Sequence, residues 1–508
     1  MTPVMTPQSS GPRVGRDGFP QLLHAEWTKF RTTPGWVTGT AVAALLMVLF
    51  AVLTGISSVQ NDASPVPNGP DGTAVTDSFY FVHRPLTGDG DITVPVSSLT
   101  SSIPTSPAEL RPGSVPWAKA GLIIKGGTRQ GSPYAAIMVT GGHGVRMQDG
   151  FVHDIAGPAS ASSAAVRWLR LKRSGDTITG YASPDGRRWT TVGTAHVPDL
   201  GSTTQGGLFV ASPPSMDGMG TRGSVTTAVF GDPRAQGAWS GDDWTGEQIG
   251  PESPTFAGYP ETVSGSFTGS DGRFTVTGAG DIAPAVRESL PTGGTVGEIL
   301  IGTFAALVAV IVVGALFITA EYRRSLIHVT LAASPRRSRV LLAKAVVLGG
   351  VTFVAGLVGA AVALPLGERL ARSNGVYIFP VASSTQLRVV LGVAALLAAA
   401  SVLALAVGTI VRHSAAAVTT VIVAVVLPYL LTAVPFMPAS VSNWVARVTP
   451  AAAFAVQQTL EPYHQVTSIY TPYNGYYPLA PWAGLAVLVG YALVALAVAA
   501  VLLNRRDA

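Results

Sequence analysis

Six long apolar segments, the first separated from the others by a polar insert, constrain this chain more than any other feature. One apolar run covers residues 36–56, and five more lie within residues 295–503. A helix of about 20 apolar residues, rising about 1.5 Å per residue, spans the hydrocarbon core of a bilayer. The pattern therefore predicts an α-helical integral membrane protein with six transmembrane helices and a large insert between the first two.

The apolar runs also set the predicted domain boundaries. The later runs lie at about 298–319, 344–366, 387–411, 414–435 and 481–503. The predicted domains are a cytoplasmic tail with an amphipathic interface helix (1–35), the first transmembrane helix (36–56), an extracellular β-sandwich (57–296) and transmembrane helices two to six (297–508). The last domain includes a cytoplasmic coupling loop (320–344) and an outer re-entrant segment (436–480).

The distribution of charge indicates how the chain is oriented. Residues 57–296 carry 16 Lys and Arg against 21 Asp and Glu, so the overall net charge of +5 arises from the membrane part. Basic residues on one side of the predicted spans are Arg13, Arg16, Lys29, Arg31, Arg323, Arg324, Arg336, Arg337, Arg339, Lys344, Arg412, Arg505 and Arg506, against a minority of Arg369, Arg372 and Arg388 on the other. Short loops rich in Lys and Arg remain in the cytoplasm. We therefore expect cytoplasmic termini, an extracellular insert, and basic residues that meet membrane lipid rather than nucleic acid.

The insert has the sequence pattern of an all-β domain. Short segments rich in Val, Ile, Thr, Tyr and Trp alternate with Gly, Asp, Pro and Ser. These segments are 78–82, 92–99, 120–124, 135–140, 166–173, 177–182, 190–194 and 207–211. The residues 174–176 (Ser-Gly-Asp) and 183–186 (Ser-Pro-Asp-Gly) favour tight turns between strands. We therefore expect an antiparallel β-sandwich.

The chain lacks the sequence patterns of several catalytic and metal sites. It has no Gly-x4-Gly-Lys-Ser/Thr phosphate loop, so any ATP would be bound by a separate subunit. It has no cysteine, no His-Glu-x-x-His and no strand of alternating acids. The predicted spans carry no charge in their interiors, because Glu298, Glu368 and Arg388 lie at outer ends. We expect no catalytic, cofactor-binding or metal-binding residues and no enzyme activity in this chain.

Two segments resemble the type-2 ABC exporter permeases of high-GC bacteria. One is 25–31 (Ala-Glu-Trp-Thr-Lys-Phe-Arg), before the first span, and the other is 320–344, which begins Ala-Glu-Tyr-Arg-Arg after the second. The resemblance covers nearly all of the chain outside the insert. It implies a non-catalytic permease subunit of the bacterial plasma membrane that pairs with a second permease, identical or different, and with two cytoplasmic ATPase subunits that bind ATP.

The same resemblance implies which residues contact the ATPase. In that class the helix before the first span and the loop after the second are the contact points. The residues at these positions are Glu26, Trp27, Lys29, Arg31, Glu321, Tyr322, Arg323, Arg324, Arg336, Arg337 and Arg339. Helical spacing of Leu22, Leu23, Trp27 and Phe30 predicts an amphipathic helix on the inner membrane surface, and such a helix suits docking. Topology and contact with lipid headgroups are the alternative roles of the arginines.

The insert resembles concanavalin A-like lectin/glucanase domains. The resemblance rests on residues 88–94, 117–124, 168–171 and 180–190, and it implies a jelly-roll sandwich. The Glu-x-Asp-x-x-Glu strand of catalytic members is absent, so hydrolysis is not expected. Trp117, Trp168 and Trp189 are candidates for stacking on an outer ligand, with positions in the domain core as the alternative.

These observations favour the permease subunit of an ATP-driven ABC exporter. Spans without interior charge predict an amphipathic or apolar substrate, although the sequence names none. The alternative is a membrane-anchored module that binds glycan or cell wall and does not transport. Such an anchor needs one span rather than six, which favours the permease.

Overall fold

The computed structural model describes residues 18–57, 66–106, 109–158, 167–217, 220–241, 243–254, 262–263, 265–270, 272–290, 293–323, 337–432 and 437–506. Its helices are α1 (Phe19–Thr32), α2 (Pro34–Ser57), α3 (Val296–Ile299), α4 (Thr303–Arg323), α5 (Arg337–Ser373), α6 (Ser383–Val411), α7 (Ser414–Thr432), α8 (Ala439–Val448) and α9 (Pro481–Arg506). Within this part of the chain, six helical segments are long and apolar enough to cross a membrane: α2, α3 continued by α4, α5, α6, α7 and α9. The six expected apolar helices are present, which supports an α-helical membrane protein.

Alternating chain direction gives the helical bundle two ends. α2 runs from α1 to the insert, α4 returns, and the later spans alternate in the same way. One end, which we call the α1 end, holds α1, the end of α4, the start of α5, the α6–α7 turn and the end of α9. The other, the sandwich end, carries the insert and residues 437–480. At the α6–α7 turn, Arg412 adopts a left-handed φ of +58°, which reverses the chain within two residues.

α6 lies at the centre of the bundle. In the most apolar 18-residue stretch of α6, 72% is buried inside the protein, against 22% for α9. α6 packs on α4, α5 and α9. α4 approaches α6 closely at Gly314, where a Cβ would lie 2.4 Å from the carbonyl oxygen of Ser401. Apolar side chains such as Leu45 and Val494 are exposed on the outer helices, as a lipid-facing surface requires.

The insert is built from short strands around one long strand. The strands are β1 (Val75–Asp77), β2 (Phe79–Ser106), β3 (Glu109–Pro112), β4 (Lys119–Lys125), β5 (Tyr134–Thr140), β6 (Val145–Asp149), β7 (His153–Ala156), β8 (Arg167–Ser174), β9 (Thr177–Ser183), β10 (Thr190–His196), β11 (Thr203–Ala211), β12 (Ser215–Asp217), β13 (Gly220–Arg222), β14 (Val225–Gly231), β15 (Arg234–Trp239), β16 (Thr245–Ile249), β17 (Ser253–Pro254), β18 (Thr262–Val263), β19 (Ser266–Ser270), β20 (Arg273–Gly278), β21 (Ile282–Pro284) and β22 (Gly293–Gly294). β23 (Tyr377–Ile378) follows α5. The predicted β-rich domain is confirmed.

β2 takes part in both sheets of the sandwich. Its first part pairs with β11 and β16, and β11 continues through β4, β5, β6 and β7. We call this the neck sheet. Its later part pairs with β8 and β14, and β8 continues through β9 to β10. We call this the distal sheet. Val82 and Leu122 of the neck sheet meet Leu169 and Phe230 of the distal sheet in the core between them.

The neck sheet is buried on both faces. Leu122 and Ile124 of β4 point into the core between the sheets, whereas Ile123 points to a second apolar cluster with Phe79 and Phe81. Strands buried on both faces form continuous apolar runs rather than alternating ones. Because β1 and β21 help to cover the outer face of the neck sheet, the exposed face of the sandwich belongs to the distal sheet.

β1 and β21 form a two-stranded ribbon, which we call the neck, where the chain enters and leaves the sandwich. Lys125 Nζ lies 2.6 Å from Asp77 Oδ2, and Lys119 Nζ lies 2.5 Å from Asp281 Oδ1. Neither lysine side chain is exposed. Burial lowers the pKa of Lys125, against the attraction of Asp77. These two ion pairs fix the neck to the two ends of β4.

The sandwich contacts the segment 437–480 through polar bonds. His464 Nε2 lies 2.9 Å from Asp154 Oδ2, and Gln465 donates to the carbonyl of Val152 at 3.0 Å. Glu288 Oε2 accepts a hydrogen bond from the Ser468 hydroxyl at 2.7 Å. β22 pairs in parallel with β23 nearby. The sandwich is therefore bonded to the helical part on both sides of the neck.

Residues 437–480 at the sandwich end contain α8 and two 3-10 helices, Pro450–Gln457 and Pro472–Asn474. α8 is followed by a 3-10 helix, Pro450–Gln457, and the two are separated at Thr449 and Pro450, where the apolar pattern is interrupted. The 3-10 helix packs against α6, α7 and α9, and its Phe454 ring stacks on Phe304 with ring centres 4.8 Å apart. These short helices close the sandwich end of the bundle.

Candidate functional site: a charged cluster at the α1 end

Four charged side chains from three helices meet at the α1 end. Lys344 of α5 donates through Nζ to Glu26 Oε2 of α1 and to Glu321 Oε1 of α4, each at 2.7 Å. Lys29 of α1 donates to Glu26 Oε1 at 3.0 Å and to Glu321 Oε1 at 3.4 Å. The two carboxylates balance the charge of the two ammonium groups. We call these four residues the charged cluster.

The charged cluster is largely shielded from solvent. The Lys344 side chain has no exposed surface and Glu26 exposes 3%, whereas Lys29 exposes 42%. Lys344 Nζ also lies 5.0 Å from the centre of the Phe317 ring, which adds a cation–π contact. Removing one partner of a buried ion pair costs about 3–5 kcal/mol, because an uncompensated charge stays buried. The charged cluster therefore holds α1 firmly to α4 and α5.

Electrostatics within the charged cluster favour the charged form of Lys29. Burial acts to lower the pKa of Lys29, but the neighbouring carboxylates of Glu26 and Glu321 outweigh it and raise the pKa above its ordinary value of 10.5. Within the described residues, the buried Oε2 of Glu321 accepts no hydrogen bond. The charged cluster thus keeps one acceptor oxygen beside its lysines.

The exposed side of α1 carries two other candidate residues. Glu26 and Phe30 face the bundle, whereas Trp27 is 44% exposed and Arg31 is exposed one turn further along. The predicted apolar face of α1 is therefore divided, because Phe30 faces the bundle and Trp27 does not. Glu26 occupies the inward face instead, because Lys344 compensates its charge. Trp27 and Arg31 remain accessible to a partner protein.

The remaining candidate residues lie around the charged cluster in different environments. Arg323 and Arg339 are exposed. Arg337 donates to the carbonyl of Leu503 at 3.1 Å, which ties α5 to α9. The guanidinium of Arg412 lies 5.0 Å from the centre of the Tyr322 ring, which ties the α6–α7 turn to α4. Arg324 and Arg336 lie outside the described residues. The α1 end thus joins the ends of five spans.

Lys344 is the member of the charged cluster that is absent from the individual candidate residues, although it ends the predicted coupling loop 320–344. The predicted third span began at 344, and its interior was expected to hold no charge. α5 begins at Arg337, so Lys344 lies two turns inside the helix and is fully buried. Its signal in the sequence is a single lysine within the apolar stretch 340–348. Since a buried lysine needs carboxylate partners, that lysine could have pointed to Glu26 and Glu321.

The three candidate tryptophans do not lie together. Trp117 is 7% exposed and stacks on His143 with ring centres 4.0 Å apart, beside the contact with segment 437–480. Trp168 and Trp189 belong to the distal sheet, and a guanidinium group lies over each ring. These rings therefore form no single stacking platform, and their role in ligand binding stays a prediction.

Among the described residues, no cluster of three or more His, Asp or Glu side chains is arranged to hold a metal ion. The polar cluster at the α1 end consists of paired lysines and glutamates, which join α1 to α4 and α5.

Six apolar helices, two of which are joined to α1 by a buried charged cluster, are the architecture of a multi-pass membrane protein. The sequence pattern of the family described as "ABC-2 family transporter protein" matches residues 147–508. The chain belongs to this family. It is therefore the permease component of an ABC transporter, a class of generally non-catalytic membrane subunits that associate with an ABC ATPase.

Two other comparisons add little. No curated protein matches the chain. A similar solved structure is described as "The crystal structure of a functionally unknown protein from Saccharomyces cerevisiae"; it is 15% identical, covers 36% of this chain and 83% of that chain, and has a TM-score of 0.22. So low a TM-score carries no argument about the fold.

Proposed function

We propose that this permease works in an ATP-driven exporter and that the α1 end is where its ATPase docks and moves the spans. The observation that carries the proposal is the position of Lys344, which bonds to α1 and α4 from within α5. A force on the exposed face of α1 would pass through the charged cluster to two spans at once. α5 packs in turn on α2 and α6, so movement would reach the centre of the bundle.

The proposed orientation places the α1 end in the cytoplasm. Cationic side chains that the structure places at this end are Lys29, Arg31, Arg323, Arg337, Arg339, Lys344, Arg412 and Arg505. Such a concentration on one side of a bundle supports cytoplasmic placement. Both termini would then be cytoplasmic in a bacterial plasma membrane. The sandwich, proposed as a concanavalin A-like jelly roll, would be extracellular.

The proposed assembly contains two permeases, identical or different, and two ATPase subunits that bind the ATP. Exposed apolar faces on α2 and α7, with Leu49 and Leu427 among their residues, suit contact with lipid, with a second permease or with an apolar cargo. We propose an amphipathic or apolar substrate that leaves the cell between the two permeases.

Orientation can be tested directly because the chain has no cysteine. Ser98→Cys in the sandwich and Thr28→Cys in α1 place single thiols at exposed positions. On intact cells, a membrane-impermeant maleimide should label the first variant and should label the second only after the cells are opened. The reverse pattern would overturn the proposed direction.

Docking can be tested by co-expressing this chain with its partner ABC ATPase and measuring how much ATPase is purified with it. The double variant Trp27→Ala/Arg31→Glu should lose most of the bound ATPase, because it changes the exposed face of α1 without touching the charged cluster. Trp482→Ala is a matched control, since Trp482 is 52% exposed at the sandwich end. Equal ATPase recovery with the double variant and the control would contradict docking on α1.

A further inference from the structure

The outer face of the distal sheet carries a regular set of cationic and aromatic side chains. Along β8, Leu169 and Leu171 point into the core, so Trp168, Arg170 and Lys172 point outward. The strand register places Arg170 beside Tyr181 on β9 and Thr93 on β2. Thr93 in turn pairs with Arg234 on β15. Tyr181, Arg170, Thr93 and Arg234 thus form one row across four strands.

Aromatic rings hold the two arginines of this row in place. The guanidinium of Arg170 lies 4.3 Å from the centre of the Trp189 ring, and its Nε donates to the Thr93 hydroxyl at 2.9 Å. The guanidinium of Arg234 lies 5.7 Å from the centre of the Trp168 ring. Stacking on a ring fixes the plane of a guanidinium while its N–H groups stay free for an anion. The two cations are therefore arranged before any ligand binds.

The charge of this face differs from that of the whole insert. Its cations are Arg170, Lys172 and Arg234, and two more, Arg187 and Arg188, are exposed in the turn between β9 and β10. Two acids lie beside them: Asp91 is opposite Lys172 in the register, and Asp185 pairs with Arg188 at 3.0 Å. Within the described residues, no carboxylate lies in salt-bridge range of the other three cations. Positive charge thus accumulates here although residues 57–296 have more acids than bases.

The position of the face restricts what can reach it. The neck and the contacts with segment 437–480 lie on the side of the neck sheet, so the distal face points away from the helical bundle. The headgroups of the surrounding bilayer are therefore on the wrong side. Arg170 and Arg234 lie two strands apart, about 10 Å. A ligand that meets both has anionic groups spaced along its length.

We propose that the distal face binds a linear anionic polymer that carries repeated phosphate groups. Guanidinium forks match phosphate oxygens in geometry and charge, and two of them are fixed here on rings. A neutral sugar is a poorer fit, because the guanidinium groups already cover one side of the Trp168 and Trp189 rings. The proposal uses the proposed outward orientation only to place the polymer outside the cell, so its binding test is independent of transport.

The test measures binding of fluorescent long-chain polyphosphate to the full-length chain in detergent at several salt concentrations. The double variant Arg170→Gln/Arg234→Gln should weaken binding at least tenfold and reduce the slope of log affinity against log salt by about 2, since each lost phosphate contact reduces it by about 1. The control Arg129→Gln/Arg111→Gln removes the same charge from exposed arginines away from this row. It should weaken binding less than twofold.

Other probes and variants decide between outcomes. Equal weakening by both double variants would overturn the proposal in favour of unspecific attraction, and so would a failure of polyphosphate to bind at low salt. Equal binding of poly-glutamate would overturn the assignment to phosphate, and competition by neutral dextran would favour sugar stacking. Trp189→Leu keeps every charge and should weaken polyphosphate binding because Arg170 loses its support. All variants should keep the unfolding temperature and ATPase co-purification of the unchanged chain, which separates this proposal from the proposed transport function.

Discussion

Lys125 in the sandwich and Lys344 in the helical bundle are both fully buried lysines paired with carboxylates. Lys125 meets Asp77 within a domain, and neither side chain has exposed surface. Lys344 instead bridges carboxylates from two other helices, and both of these carboxylates also pair with the half-exposed Lys29. The first pair is closed and fixes the neck to β4. The second is open to the surface at Lys29, as the proposed link between α1 and the spans requires.

The largest expected effect is on the closed pair. Lys125→Ala leaves the Asp77 carboxylate buried without its cation and should reduce the free energy of unfolding of the sandwich by about 3–5 kcal/mol. Denaturant unfolding of the full-length chain in detergent, followed by the fluorescence of the sandwich tryptophans, measures the change. The double variant Lys125→Met/Asp77→Leu should lose less, because no charge stays buried. A loss below about 1 kcal/mol in Lys125→Ala would contradict the role of the pair.

Lys344→Met should affect the charged cluster of the helical bundle and leave the sandwich unchanged. The sandwich should keep its unfolding free energy, whereas hydrogen exchange in α1 should become at least tenfold faster and the bound ATPase should decrease, because a buried link of about 3–5 kcal/mol is lost. Lys29→Met is the matched control and should change exchange much less, since Lys29 is half-exposed. Equal effects of the two substitutions would show that Lys344 has no special place in the charged cluster.

Acid should weaken the contact between the sandwich and segment 437–480. Burial acts to raise the pKa of Asp154, but hydrogen bonds from Arg146 and Gln148 outweigh it and lower the pKa below its ordinary value of 3.8. A lowered pKa gives stability that is present above about pH 4 and is lost as the pH falls through the folded-state value. Thermal unfolding between pH 7 and pH 3 should show this loss. In Asp154→Asn the acid-dependent loss should be smaller; an unchanged pH profile would contradict the assignment.

The smallest effect is expected at an exposed ion pair of the sandwich. Arg111 Nε lies 2.9 Å from Glu109 Oε1, and both side chains are more than half exposed. Arg111→Ala should change the free energy of unfolding by less than about 1 kcal/mol, because solvent screens the pair. The same denaturant assay measures it. A loss as large as that of Lys125→Ala would show that burial does not explain the difference between these pairs.

Most of the architecture could be predicted from local patterns. Apolar length gave the six spans, and strands such as β8, β9 and the turn between them follow from alternating residues and Ser174-Gly175-Asp176. The sequence did not predict that β4 is buried on both faces. Its Lys119 and Lys125 are charged residues at the two ends of an apolar run, where pattern alone suggests solvent. Their burial depends on Asp281 and Asp77, which are distant in sequence.

At the candidate site, too, the sequence did not reveal which charged residues are buried together. The segments 25–31 and 320–344 were predicted to lie at one end of the bundle, and Glu26, Glu321 and Lys344 meet there. They did not show that Glu26 faces the bundle while Trp27 is exposed, since helical spacing groups Trp27 with the buried Phe30. The inward position of Glu26 requires Lys344, which is 318 residues away.

The sequence by itself determined that the chain crosses a membrane six times, carries a β-rich insert after the first crossing and belongs to the permease class, since apolar length, strand alternation and local motifs are properties of short segments. Only the tertiary structure decided which charges are buried together and which remain exposed. A charge can be buried when an opposite charge meets it in space, and for Glu26, Asp77 and Asp281 that partner comes from a distant part of the chain.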